Sequence, residues 1–382
     1  MIDYPYIFFY LILLIMAYQY WKTGDARYTK WSLILAFVFF ALRAPVVGAD
    51  TWDYVRYLTG ERSFYNGDSR ELEFAFVLFR EIVSKLTSSR LIVMVLNTIL
   101  SMAPLYYIAK RYSLNVPLTI LMFCYMNSLS VYFVGLRQIL AISCLLMAFL
   151  YIYENELKVS KGTIVLGLAV ILAYSLHTSS ILYALFYMAA LLIRGGSKII
   201  FFLMIWASAF LGFLTDTFNI FDAFSYYMAL DVNAMERLDG YFDMELFNNA
   251  PLYVVAQPSI IATFIFYAMD EEKIKHPFCK IYLAGIIVYN LFYTVPMLHR
   301  IVPPLTMFGS VLMTWCFGRE YYIKLKKRKT INIILVLMLL YLTRASINEC
   351  INYDVYNSGR MHPYYFFFQD YKDHPSIKYF GN

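Results

Sequence analysis

Four positions in the 382-residue chain place ionisable side chains against the ends of apolar segments. In chain order they are Arg43 with Asp50, Arg137 with Gln138, His177, and His299 with Arg300. A charge at membrane depth costs about 2.5–3.5 kcal/mol on insertion scales, so such residues are candidates for function by default. The arginine guanidinium binds phosphate or carboxylate through paired hydrogen bonds, and a histidine or carboxylate accepts protons. Together these residue types predict chemistry on an anionic substrate.

Each candidate also has a structural interpretation. The stems of Arg43 and Arg137 can carry their charges to lipid headgroups, and His177 and His299 can be hydrogen-bonded turn residues. Asp50 can act as the N-cap of the helix that follows it. Arg137 has the stronger functional indication, because in the first turn of a helix its charge adds to the positive end of the helix dipole.

The composition requires a membrane. Apolar residues make up 61% of the chain when Tyr is counted and about 56% when Gly is counted in its place, whereas soluble domains have about 45–50% on the latter count. Charged residues are only 15%, against about 25% in soluble domains. A soluble globule has too little interior to bury that many apolar side chains. This excludes a secreted domain, a disordered protein and a cytosolic dinucleotide-binding enzyme. The five cysteines are scattered with no CxxC pair, so neither a disulfide framework nor a zinc site is indicated.

The apolar segments predict an all-α, polytopic integral membrane protein with about twelve transmembrane helices, since most approach the roughly 20 residues that a bilayer core requires. The twelve segments are Tyr4–Tyr20, Trp31–Val47, Arg90–Ala109, Asn115–Val134, Leu136–Tyr153, Thr163–Leu176, Thr178–Arg194, Ile199–Thr215, Pro251–Met269, Ile281–Met297, Ile301–Phe317 and Thr330–Ala345. The first segment has no basic stretch before it and no small-residue cleavage pattern after it, so we expect an uncleaved span rather than a signal peptide.

Lysine and arginine bias sets the orientation, because cytoplasmic loops carry an excess of both. The basic run Lys324–Lys329 places its own loop inside, and the alternation then puts 13 of the 16 lysines on the same side. Both termini and three larger segments of this single transmembrane domain lie outside: 48–89, 216–250 and 346–382.

The orientation depends on Glu71–Thr87 not crossing the membrane. One helical face of this segment carries Glu73, Arg80, Glu81 and Ser84, and another carries Leu72, Phe76, Phe79 and Val83. Such a pattern is typical of a helix that lies at the membrane interface. A short membrane-crossing helix is the alternative, and it would invert part of the topology.

Arginine is distributed differently from lysine. Eleven of the 16 arginines lie outside or at the outer ends of helices, and 19 of the 26 acidic residues are also outside. Because arginine matches phosphate and carboxylate bidentately and stays charged when partly desolvated, this predicts an outer surface that binds anions. Ordinary surface Arg–Glu pairs are the alternative for the loop arginines. The outer tyrosines and phenylalanines suit an interfacial belt or stacking against sugar rings.

No motif for a metal or a nucleotide accompanies these residues. The chain has no HExxH, no clustered His or Cys ligands, no Walker loop and no GxGxxG. Asp50 and Asp53 form a DxxD, which is a weak pattern without a third carboxylate in register. We therefore expect no metal, no cofactor and no nucleic-acid partner.

The ordered set of candidates resembles the Wzy/EpsG-type polysaccharide polymerases of bacterial inner membranes. The resemblance spans most of the chain and rests on Arg43…Gly48-Ala-Asp50…Tyr54, Glu71 or Glu73 before Phe74, Arg137-Gln138, His177-Thr-Ser179 and Arg300. Two later outer elements, Arg237…Tyr241 and Pro363-Tyr-Tyr, are similar too. The sequence does not decide whether Glu71 or Glu73 is the matching carboxylate.

The resemblance implies a membrane glycosyltransferase that joins undecaprenyl-pyrophosphate-linked oligosaccharide repeat units on the periplasmic side of the inner membrane. Its product would be O-antigen, capsule or a related surface polysaccharide. Its partners would be the lipid-linked oligosaccharide, membrane lipids and a protein that regulates chain length. Arginines can stabilise the charge of the departing pyrophosphate without a metal.

The resemblance also implies roles for the candidates. Those for the pyrophosphate are Arg137 and Arg300 first, then Arg43 and Arg237. The candidates for the catalytic base are His177 first and then Asp50. Glu73 is the candidate for positioning the acceptor hydroxyls. Those for the sugar are Gln138, Tyr54 and Tyr241.

Two other functions stay open from the sequence. A ligase that moves a finished glycan from the same carrier needs the same lipid pyrophosphate and outer arginines. A flippase or transporter would show paired, Gly/Pro-broken helices with internal symmetry and charges near mid-span. The chain shows no such repeat, and its charges lie at the outer helix ends.

Overall fold

The computed structural model describes residues 3–48, 50–61, 73–126, 133, 135–156, 159–193, 195–218, 253–293, 301–317, 329–351 and 362–370. Within these ranges the chain is helical and contains no strand longer than a single bridge, between Arg43 and Phe366. The helices are α1 (Tyr4–Thr23), α2 (Ala26–Ala41), α3 (Thr51–Leu58), α4 (Phe74–Leu86), α5 (Arg90–Tyr112), α6 (Val116–Tyr125), α7 (Leu136–Glu154), α8 (Val159–Leu176), α9 (Ser180–Leu192), α10 (Lys198–Phe218), α11 (Tyr253–Ala268), α12 (Glu271–Ile274), α13 (Pro277–Leu291), α14 (Val302–Thr306), α15 (Phe308–Phe317) and α16 (Lys329–Ile351).

The all-α fold class is confirmed, and each of the twelve apolar segments contains a helix. Some helix boundaries differ from the predicted ones because of capping residues and local breaks. The α2 helix begins at Ala26 rather than Trp31 because Asp25 caps it, accepting a hydrogen bond from the Arg27 amide at 2.8 Å. The predicted segment Ile301–Phe317 is two helices, α14 and α15, which are separated by Met307.

Among the described residues, four helices are long and apolar enough to cross a membrane: Tyr4–Thr23, Arg90–Tyr112, Leu136–Glu154 and Ile333–Ile351 within α16. Most other apolar helices in the described ranges have 10–16 residues, shorter than the roughly 20 that a straight span needs; the exceptions are α8 with 18 residues and α10 with 21. The protein is therefore a helical membrane protein, and the figure of twelve crossings stays a prediction.

The α4 helix has 13 residues, a length of about 20 Å. Phe76 and Val83 are buried against the protein, as the predicted apolar face requires. A second apolar stripe, made of Phe74, Leu78, Ile82 and Leu86, is exposed. A helix that is too short to span and has one apolar face outward suits the membrane interface.

Residues 362–370 lie across the N-terminal end of α1 and the C-terminal end of α2. Asp3, just before α1, accepts hydrogen bonds from the Tyr364 amide at 2.9 Å and lies 2.6 Å from His362 Nδ1. The Tyr365 carbonyl accepts from the Ala44 amide at 2.7 Å, and the Phe367 amide donates to the Leu42 carbonyl at 3.0 Å. This C-terminal strap fixes the backbone immediately after α2.

Candidate functional site

Arg137 lies in the first turn of α7, directly after the Gly135–Leu136 start of that helix. Its Nη1 forms an ion pair with Glu73 Oε2 at 2.5 Å, and its Nε donates to the Tyr54 hydroxyl at 3.0 Å. The guanidinium carbon lies 5.1 Å from the centre of the Tyr54 ring and 5.7 Å from that of Phe76. Contacts with both rings and two hydrogen bonds hold the side chain in one orientation.

Glu73 stands at the N-terminus of α4 and lies between two cationic or potentially cationic groups. Oε2 faces Arg137, while Oε1 accepts a hydrogen bond from the Thr178 amide at 3.3 Å and lies 3.5 Å from His177 Nδ1. Burial alone would raise the pKa of the Glu73 carboxyl, but the contact with His177 and the charge of Arg137 outweigh it and lower that pKa to about 2. Glu73 is therefore a carboxylate at neutral pH.

His177 occupies the turn between α8 and α9, and its side chain is 16% exposed. Nδ1 faces the Glu73 carboxylate, which favours a proton on that nitrogen. The lone pair of a neutral ring then lies on Nε2, where it can accept a proton. A histidine oriented by a carboxylate in this way is a common arrangement for a general base.

Four separate segments thus meet at one place. They are α3 with Tyr54, the start of α4 with Glu73, the start of α7 with Arg137, and the α8–α9 turn with His177. We call these four residues the outer cluster, after the side of the membrane on which the sequence analysis expects them. The sequence predicted each of them separately as a candidate, and the fold brings them into direct contact.

Asp50 and Gln138 have other surroundings. Asp50 is at the N-cap position of α3, half-buried, and its side chain makes no capping hydrogen bond. Gln138 is buried, and its amide donates to the Tyr183 hydroxyl at 2.5 Å, inside the helix bundle. Successive residues of a helix point about 100° apart, so Gln138 faces the bundle although Arg137 faces the outer cluster.

Arg43 is buried, with only 2% of its surface exposed. Its Nη1 donates to two backbone carbonyls, those of Val47 at 2.9 Å and Phe133 at 3.2 Å. Its guanidinium lies 4.0 Å above the Phe133 ring. The structure thus places Arg43 among backbone acceptors inside the protein.

The remaining candidates Arg237, Tyr241 and Arg300 lie outside the described residues, as do His299 and the alternative carboxylate Glu71.

Sequence reasoning missed two contributors to the outer cluster. Phe76 packs against Tyr54 with its ring at 83° and supports Arg137, yet in the sequence it is one of many phenylalanines. The Thr178 amide donates to Glu73 from a backbone position, which no side-chain pattern can indicate. Among the described residues, no group of three His, Cys, Asp or Glu side chains is placed to hold a metal ion.

The chemistry available here is the binding of an anion by an oriented guanidinium next to a base. A sequence model of the EpsG family matches residues 27–364, a range that contains every member of the outer cluster. No curated protein and no solved structure matches the chain.

Proposed function

Because the chain belongs to the EpsG family of Wzy-like polysaccharide polymerases, we propose that it joins undecaprenyl-pyrophosphate-linked oligosaccharide repeat units at the outer face of a bacterial inner membrane. Family membership supports a polymerising glycosyltransferase in general. The carrier, the side of the membrane and the residues are our proposal. The observation that carries it is the contact of Arg137, Glu73 and His177 in one cluster.

The reaction exchanges one glycosidic bond for another. An acceptor sugar hydroxyl forms a bond to the anomeric carbon of the growing chain, and the bond from that carbon to the pyrophosphate oxygen breaks. The hydroxyl proton goes to a base, and the pyrophosphate leaves on its lipid with the bonding electrons. The protein must therefore supply a proton acceptor on one side of the anomeric carbon and stabilise negative charge on the other.

Arg137 is suited to the leaving group. Two of its five N–H donors are bound to Glu73 and Tyr54, which leaves three to address phosphate oxygens. Its place in the first turn of α7 adds the helix dipole to the same anion. A guanidinium that is already oriented costs little reorganisation when charge develops on the pyrophosphate.

His177 is suited to act as the catalytic base, and Glu73 is suited to orient the His177 imidazole. A carboxyl with a pKa of about 2 is too weak a base to take a proton from a sugar hydroxyl at neutral pH. Its lasting negative charge instead aligns the imidazole and stabilises the imidazolium that forms after proton transfer. This assignment moves Glu73 from holding acceptor hydroxyls to holding His177 and Arg137.

Reconstitution tests the proposal. Purified protein in lipid vesicles, given lipid-linked repeat units as the only substrate, should form a ladder of products that differ by one repeat unit, with release of lipid pyrophosphate. Products that remain single units would contradict it. A strain without the gene separates polymerase from ligase, because loss of a polymerase leaves surface glycan with one repeat unit, whereas loss of a ligase leaves none.

A further inference from the structure

Arg43 is packed into the protein, against residues that lie close in sequence to the starts of α3 and α7, rather than presented to a substrate. We infer that Arg43 is a positioning residue, which holds the start of α3 and the start of α7 together so that Tyr54 and Arg137 meet. Only the predicted effect of Arg43 on turnover rests on the proposed function. The packing on which it depends is independent of that function.

The Phe133 carbonyl is the point at which three contacts converge. It accepts hydrogen bonds from Arg43 Nη1 at 3.2 Å and from the Thr51 hydroxyl. Gly48 packs against the same oxygen so closely that an added Cβ would lie 2.1 Å from it. Phe133 lies two residues before Gly135, the N-cap residue of α7, so contacts at this carbonyl hold the chain close to the start of α7.

The same guanidinium also holds the segment that leads from α2 into α3. Arg43 Nη1 donates to the Val47 carbonyl at 2.9 Å and so closes the turn between α2 and Gly48. Thr51 opens α3 three residues further on, and Tyr54 lies one turn into that helix. A single side chain therefore links the α3 start, which carries Tyr54, to the α7 start, which carries Arg137.

The surroundings of Arg43 explain why arginine is needed. The planar guanidinium stacks 4.0 Å above the Phe133 ring while donating to two carbonyls, and a lysine ammonium offers neither the plane nor the fixed fork. The backbone of Arg43 is itself held, by the bridge to Phe366 in the C-terminal strap. With 2% of its surface exposed, Arg43 acts through Arg137 rather than on the substrate.

The test is Arg43→Lys, with Arg56→Lys as the matched control. Arg56 also stacks on an aromatic ring, 5.6 Å from the Trp52 centre, but it does not join the two helix starts. In reconstituted polymerisation we expect Arg43→Lys to lower kcat about 10- to 100-fold, the scale of a misplacement of about 1 Å. KM for the lipid-linked unit should change less than about twofold, and the control should keep both constants.

A double variant separates positioning from direct binding. If Arg43 acts through Arg137, the variant carrying both Arg43→Lys and Arg137→Lys should turn over at nearly the rate of Arg137→Lys alone. Losses that multiply, or a raised KM at unchanged kcat, would overturn the inference, because they indicate that Arg43 binds the substrate itself.

Hydrogen exchange gives a readout that needs no activity. Peptides covering 51–58 and 135–140 should exchange faster in Arg43→Lys than in the wild type, while peptides covering 260–268 should not change. Thr51→Val removes the other donor to Phe133 and should produce a smaller change in the same peptides, which keeps the test decisive if Arg43→Lys does not fold. Unchanged exchange at both helix starts would overturn the inference even if the wild type forms no polymer.

Discussion

At the scale of single residues, the geometry of the Arg137 guanidinium matters more than its charge. Its Nε and Nη1 are committed to Tyr54 and Glu73, so the remaining donors point in a fixed direction. We expect Arg137→Lys to lower the polymerisation rate about 100-fold or more although the charge is kept, because removal of one oriented donor to a developing oxyanion costs about that factor.

The measurement is the initial rate of ladder formation by purified variants at equal membrane level. Arg27→Lys is a suitable control, since Arg27 is 83% exposed and paired with Asp25 at 2.6 Å. A wild-type rate for Arg137→Lys would show that a point charge is sufficient.

Glu73 gives a second prediction at this scale, on stability against pH. The pKa of its carboxyl lies at about 2 in the folded protein, below the ordinary value of 4.5. The carboxylate therefore stabilises the folded state fully at any pH at which the same group is also ionised in the unfolded chain. That contribution is complete above about pH 5.5 and is lost as the pH falls from 4.5 towards 2. Glu73→Gln should therefore unfold at a lower temperature than the wild type at pH 7, and the difference should shrink as the pH falls through this window.

Thermal unfolding in detergent at pH 7, 5.5, 4 and 3 measures this difference. If the unfolding temperatures of the wild type and Glu73→Gln differed by the same amount at all four pH values, the contacts with His177 and Arg137 would not be lowering the pKa of the Glu73 carboxyl.

At the scale of elements, the turn between α2 and α3 depends on a glycine. Gly48 has a φ of +105°, and a Cβ there would lie 2.1 Å from the Phe133 carbonyl oxygen. Gly48→Ala should lower the free energy of unfolding by about 1–3 kcal/mol, the usual scale of local backbone strain. Gly167→Ala is the matched control, because nothing lies within 4 Å of a Cβ at that helical position, and it should be neutral or slightly stabilising.

Unfolding midpoints of the two glycine variants decide the matter. Equal midpoints would show that the turn relaxes freely and that the contact with Phe133 does not fix the start of α7.

The elements themselves were largely predictable, and the reason is physical. Apolar runs such as Arg90–Ala109 and Leu136–Tyr153 have one stable form in a bilayer, a helix, because every backbone polar group must be satisfied internally. The sequence also predicted a set of candidate residues, and four of them, Tyr54, Glu73, Arg137 and His177, meet in the structure. That Glu73 would turn its carboxylate to both Arg137 and the His177–Thr178 turn was not predictable, because its contacts with Arg137 and with the Thr178 amide join residues 64 and 105 positions apart.

Arg43 shows most clearly which contacts cannot be predicted from the sequence. From the sequence it resembles Arg137, since both are arginines at the outer end of an apolar segment. Only the fold shows that its guanidinium is directed to the Val47 and Phe133 carbonyls. Burial and backbone acceptors depend on packing between distant segments, which no local pattern encodes.

At the scale of the whole molecule, polymerisation of flipped lipid-linked units requires the outer cluster to lie on the side opposite the lysine-rich loops. Lys85 is near the end of α4, on the predicted outer side, and Lys30 lies in the α2 segment next to the predicted inner loop. Single cysteines at these positions, in a background without the five native cysteines, should report the orientation.

A membrane-impermeant maleimide added to intact spheroplasts should label Lys85→Cys and spare Lys30→Cys until the membrane is opened. The reverse pattern would place the outer cluster in the cytoplasm and contradict the proposed use of flipped, lipid-linked units.

If the outer cluster performs polymerisation with His177 as the base, removal of the imidazole must abolish the product ladder, and the variant His177→Ala shows whether it does. Thr178→Ala is the matched control, because it keeps the backbone amide that donates to Glu73. We expect reconstituted His177→Ala to consume no lipid-linked units and to yield no ladder, whereas Thr178→Ala should yield the wild-type ladder. A normal ladder from folded His177→Ala would contradict this role of His177.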